Sequence, residues 1–68
     1  MSEEEKKAIE EIQKYSNDSD KNEANLEALD VLLNYKVLDT KNAKKLIELD
    51  KIKIKGADEV IERYDVND

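Results

Sequence analysis

A chain of 68 residues with neither cysteine nor histidine has no covalent staple, and it lacks the usual ligands of a structural zinc. A domain this small buries only about 60% of the surface its unfolded form exposes, so its core is thin. Regular helix packing or self-association remains as the means of holding it together. Charged residues make up 44% of the chain, well above the ordinary quarter, and without ordered apolar residues that would point to disorder. Here the apolar residues recur at helical spacing in nearly every segment. The expected fold is all-α, a small bundle of three to four short helices forming a single domain over residues 1–68, with a disordered tail at 66–68.

Local signals place the elements. Ser2 and Glu5 form an S-x-x-E capping box that starts a helix at about Glu3. Its residues Ala8, Ile9, Ile12 and Tyr15 share one face, and the polar run 16–20 ends it. A second helix is predicted from about Lys21 or Glu23 to Tyr35, capped by Asp20 or Asn22. Val37 and Leu38 form a short connector. Asp39 or Thr40 then caps a third helix that carries Ala43, Leu46, Ile47 and Leu49. Residues 51–55 alternate Lys and Ile with period two, which reads as an extended connector whose Ile52 and Ile54 plug the core. Gly56, the only glycine, precedes a fourth helix striped by Ala57, Val60, Ile61 and Tyr64. The chain shows no internal repeat and no flexible linker.

The second helix carries more apolar surface than one core requires. At about 100° per residue, Ala24, Ala28, Val31 and Tyr35 fall on one side, and Leu26, Leu29 and Leu33 fall nearly opposite. Either this helix is central and wrapped by the other three, or one side packs inward and the other meets a second chain. In the second case the partner-binding residues are expected to be Leu26, Leu29 and Leu33 with Tyr35, and a homodimer seam is one form of that contact. Tyr35 and Tyr64 are the candidate aromatic anchors.

Other functions find little support. Without His or Cys, the commonest general base and the strongest nucleophile are missing, and no Gly-rich loop is present to cradle phosphate. No catalytic residue, cofactor or metal ligand is assigned, and the chain is read as a non-enzyme. Asp18-Ser19-Asp20-Lys21-Asn22 matches the opening of a calcium loop, but Glu23 stands where the turn needs Gly and Leu29 where a bidentate Glu is needed. No stretch reaches the roughly 18 apolar residues of a membrane span, and no apolar run follows the N-terminus, so a soluble, cytoplasmic protein is expected.

The net charge of −6 is unevenly spread. Residues 1–35 hold four Lys against ten acids, 36–55 seven Lys against three acids, and 56–68 one Arg against five acids. Such a dipolar chain is steered toward partners of matching charge pattern. An acidic face of Glu3, Glu4, Glu10 and Glu11 suggests an alternative, a DNA-mimicking inhibitor of a nucleic-acid-binding enzyme. A second alternative is a small DNA-binding regulator using Lys41, Lys44 and Lys45. Direct nucleic-acid binding is disfavoured, because the recognition helix would carry Asp58, Glu59 and Glu62 against a single Arg63.

The opening Ser-Glu-Glu-Glu-Lys-Lys-Ala-Ile-Glu-Glu-Ile, with the polar loop and the Leu-rich helix ending Leu32-Leu33-Asn34, resembles the start of small accessory proteins of Firmicute phages. The resemblance covers residues 2–34. It implies a mobile-element protein that binds and modulates a host or defence protein, as an inhibitor or anti-CRISPR-like factor does. The pattern Ala43, Leu46, Ala57, Val60, Ile61 is also faintly similar to UBA-like three-helix modules, with Leu33-Asn34-Tyr35 where those carry a Met-Gly-Phe/Tyr loop.

Overall fold

Four helices and one 3₁₀ turn account for most of the computed structural model, which describes residues 2–65. The expected disorder of 66–68 lies outside the described residues. Helix α1 spans Glu3–Tyr15, α2 Asn22–Asn34, α3 Thr40–Glu48 and α4 Ala57–Asp65. The 3₁₀ turn Ser19–Lys21 leads directly into α2. Residues 51–55 lie outside any helix or strand, with Ile52 and Ile54 both buried in the core. α2 packs against α1 on one side and α4 on another, and α3 packs on α4. The Cα radius of gyration, 10.7 Å, agrees with the roughly 11 Å of a closely packed chain of this length.

The core shows which side of α2 points inward. Leu29 is fully buried, Leu33 is nearly so, and Leu26 packs partly buried against the same cluster. These three residues, expected to meet a partner, instead join Ile9, Ile12, Leu38, Ile61 and their neighbours to form the core. The physical reason is side-chain size. A face of three leucines removes far more apolar area from water than one built on two alanines and a valine. The apolar face left outside the core is therefore the other one. The helices packed most closely on α2 are α4 and α1, and Ala24, Ala28, Val31 and Tyr35 remain exposed.

The N-terminus of α1 forms as expected in part. The Ser2 Oγ accepts the Glu5 N–H at 3.1 Å. The carboxylate of Glu5, however, does not return to Ser2. It is buried (7% exposed) and accepts the Asp39 N–H at 3.0 Å and the Asn42 side-chain amide at 3.3 Å. The first turn of α3 has no acidic residue of its own, so Glu5 supplies negative charge to that helix end from across the fold. Asp39 adds the local cap, accepting the Lys41 N–H at 3.1 Å.

The start of α2 also differs from expectation. Neither Asp20 nor Asn22 caps it, because the 3₁₀ turn feeds into the helix and Asp18 caps that turn through the Asp20 N–H. Asn22 is instead used at long range. Its Oδ1 accepts the Lys55 N–H at 2.8 Å and its Nδ2 donates to the Lys55 carbonyl at 3.0 Å, pinning the connector 51–55 to α2. Asn25, which is buried, donates to the Tyr15 carbonyl at 3.1 Å and closes the end of α1.

α2 and α3 end in the same way. After each C-cap, Tyr35 and Leu49, a non-glycine residue takes positive φ: Lys36 at 61° and Asp50 at 58°. Val37 N–H to Leu32 O with Lys36 N–H to Leu33 O completes a Schellman turn, and Lys51 to Leu46 with Asp50 to Ile47 repeats it. A left-handed conformation at a residue with a Cβ costs about 1 kcal/mol or more. Lys36→Gly is therefore expected to stabilise the fold by roughly 0.5–1 kcal/mol, less than the full relief because glycine also loosens the unfolded chain. Denaturant midpoints with an unchanged slope would show it, and a lower midpoint would contradict it.

Candidate protein-docking groove

Joined by the short connection 16–21, α1 and α2 are antiparallel neighbours, and between them runs a groove of about 420 Å³. Its floor is built of small and medium apolar side chains: Ala8 and Ile12 from α1, with Ala24, Ala28, Val31 and Leu32 from α2. Alanines at positions 24 and 28, one helical turn apart, leave the backbone low enough for another chain to approach closely. Val31 is 51% exposed, and Tyr35, 73% exposed, continues the same stripe past the end of α2. Its lining runs from Ala8 to Tyr15 on α1 and from Ala24 to Leu32 on α2, which gives the groove a length of about 12 Å.

Charge borders this apolar strip unevenly. Glu11 lines it on the α1 wall and Glu27 on the α2 wall. Neither carboxylate has an ion-pair partner among the described residues. At one end the Tyr15 ring is flanked by two ammonium groups, Lys21 at 4.7 Å and Lys14 at 5.4 Å from its centroid. The groove is thus apolar at its floor, acidic along its walls and basic at one end.

The chain matches no family model, and no curated protein or solved structure is significantly similar to it.

Of the residues expected to form a partner surface, Tyr35 is exposed, Leu26 is partly buried against the core, and Leu29 and Leu33 belong to the interior. The four acids of the alternative face, Glu3, Glu4, Glu10 and Glu11, are all exposed. On the wheel of α1, however, Lys7 and Lys14 fall between the Glu3–Glu10 and Glu4–Glu11 stripes, so the face is an alternating pattern rather than a phosphate-like row. Lys44 of the basic cluster pairs with Asp65 at the end of α4. Leu49, the C-cap of α3, is 65% exposed. No group of three or more acids among the described residues is placed to hold a metal ion, and no described helix is long and apolar enough to cross a membrane. Sequence reasoning missed Ala8, Ala24, Ala28 and Val31 as the open surface. The signal present was the Ala24-x-x-x-Ala28 spacing opposite a leucine face.

Tyr64 has a different use from an interface anchor. It is half-buried and its hydroxyl donates to Asp30 at 2.5 Å, linking α4 to α2. That hydrogen bond raises the phenol pKa above its ordinary value, since ionisation would set a phenolate against the carboxylate. The Lys44 ammonium is likewise raised by its hydrogen bond to Asp65. For both groups the folded value lies above the unfolded one, so their contribution is complete below about pH 10 and is lost as pH rises through the raised values. Tyr64→Phe is expected to lower the melting temperature at neutral pH, with the gap from wild type closing above pH 10. A gap that stays constant through pH 11 would rule out the Tyr64–Asp30 link as its source.

Proposed function

We propose that this chain is a small non-catalytic module that binds another protein through the α1–α2 groove. The observation that carries the reading is the groove itself. In a chain so rich in charge, Ala24, Ala28 and Val31 form a continuous apolar strip that the fold leaves exposed although α2 has a better core face. Exposed apolar strips with charged borders mark interaction sites on small soluble domains. Tyr35 at the end of the strip is the kind of rigid aromatic side chain that concentrates binding energy. The resemblance of residues 2–34 to phage accessory proteins adds a class of target, a host or defence protein.

The test is a comparison of proteins retained from a lysate of the source organism by wild type and by charged variants. Val31→Glu and Ala28→Glu, both at exposed positions, are expected to keep the helical circular dichroism and to lose the retained protein, weakening its affinity about tenfold or more. Leu49→Glu, on the far basic segment, is expected to retain it. Retention that survives both groove variants would overturn the reading.

A further inference from the structure

The borders of the groove say what should fill it. Resting on the docking reading above, we propose that the occupant is a basic amphipathic helix of another protein, with one apolar stripe laid along the floor and Lys or Arg flanking it on both sides.

Three observations lead there. First, the secondary structure of the site selects a helix. Among the described residues there is no strand edge on which an extended peptide could add hydrogen bonds, and a furrow between two antiparallel helices accepts the ridge of a third. At a length of about 12 Å it takes about 8 residues of helix, enough for anchors at i, i+4 and i+7. The alanine floor leaves room for large anchors such as Leu or Phe.

Second, the walls select the charge. Glu11 and Glu27 stand on opposite sides of the apolar floor without internal partners. A helix seated between them brings the residues flanking its apolar stripe toward both carboxylates. Basic flanks gain from that approach, and acidic flanks are repelled. Lys14 and Lys21 stand over the Tyr15 ring at one end, and among the groove-lining residues the charged ones are Glu11 and Glu27.

Third, the same charges weigh against a second copy as the natural occupant. Residues 1–35 carry four Lys against ten acids, and a two-fold contact through this face would set two such segments against each other. Self-association through the groove therefore works against the chain's own charge.

The experiment uses the full chain and a labelled synthetic peptide of about 14 residues with Leu on one helical stripe and Lys on its flanks, read by fluorescence anisotropy. Two control peptides are required. One keeps the Leu stripe with Glu in place of Lys, and the other keeps the basic composition with the Leu residues scattered. The basic amphipathic peptide is expected to bind at least about tenfold more tightly than either control, and Val31→Glu to remove that binding. Glu11→Lys with Glu27→Lys is expected to reverse the preference between basic and acidic stripes. Glu3→Lys with Glu10→Lys makes the same change of net charge on the solvent side of α1 and is expected to leave the order unchanged. If the two stripe peptides bind alike and both need Val31, the groove stands and the basic partner is wrong. If no peptide depends on Val31, both readings fall. If the solvent-side pair shifts the preference as much as the groove pair, bulk charge governs and the proposal is overturned. A free chain that light scattering shows to be a dimer broken by Val31→Glu would make a second copy the occupant, which also overturns it.

Discussion

Leu29→Ala is expected to cost about 3 kcal/mol, within the 2–5 kcal/mol range of leucine truncations in packed cores. Leu29 is fully buried at the centre of the cluster formed by Leu33, Leu38, Ile61 and their neighbours, where α2 meets α4. Its loss removes apolar burial and leaves a cavity that short helices pinned at several points close only in part. The expected total stability of a chain this size is roughly 3–10 kcal/mol, so the change consumes much of it. Val31→Ala, two residues away but half-exposed, is expected to cost less than about 1 kcal/mol. Urea melts followed by circular dichroism compare the two directly. Equal losses would mean that the Leu and Ala faces of α2 are not separated as described.

The second large effect is expected at Glu5, an acidic side chain on a highly charged helix that an inspection of charge alone would treat as replaceable. Glu5→Ala should cost about 2 kcal/mol, because the Asp39 N–H and the Asn42 amide lose a shared acceptor in a part-buried setting. It also removes the only carboxylate that α1 delivers to the start of α3. Glu5→Gln keeps an acceptor oxygen and should cost about half as much. Glu4→Ala, exposed one position earlier, is the control and should change stability by no more than about 0.5 kcal/mol. Denaturation midpoints of the three variants test the ranking, and a loss at Glu4 equal to that at Glu5 would contradict the long-range cap.

Much of the fold was legible because short-range chemistry decides it. Ser2 and Asp39 cap the helices that follow them, Gly56 at φ 90° breaks the chain before α4, and the alternation of 51–55 marks a non-helical connector with its isoleucines inward. What was not legible depends on distance or on comparison. Periodicity shows that α2 has two apolar sides but does not say which wins the core; the area of three leucines against two alanines and a valine does. Glu5 has the spacing of a local capping box, yet its carboxylate is claimed by Asp39 and Asn42, more than thirty residues away. Asn22 looks like a helix cap and serves as a clamp on Lys55. The groove needs both α1 and α2 in place, so no single helical wheel displays it. Lys36 carries no local sign of positive φ, whereas Asp50, a residue type that tolerates that region better, gives a weak one.

The absence of native cysteine makes one measurement especially direct: thiol labelling of Ala28→Cys and Leu29→Cys, separately, with and without the basic amphipathic peptide. In the free chain Ala28→Cys should react near the rate of an exposed thiol, and Leu29→Cys at least about tenfold more slowly, through opening of the core. Adding the peptide should slow the first to a small fraction of its free rate while leaving no comparable extra protection at the second. If Ala28→Cys is already protected in the free chain, or stays fully reactive when the peptide is bound, the α1–α2 groove is not the docking surface.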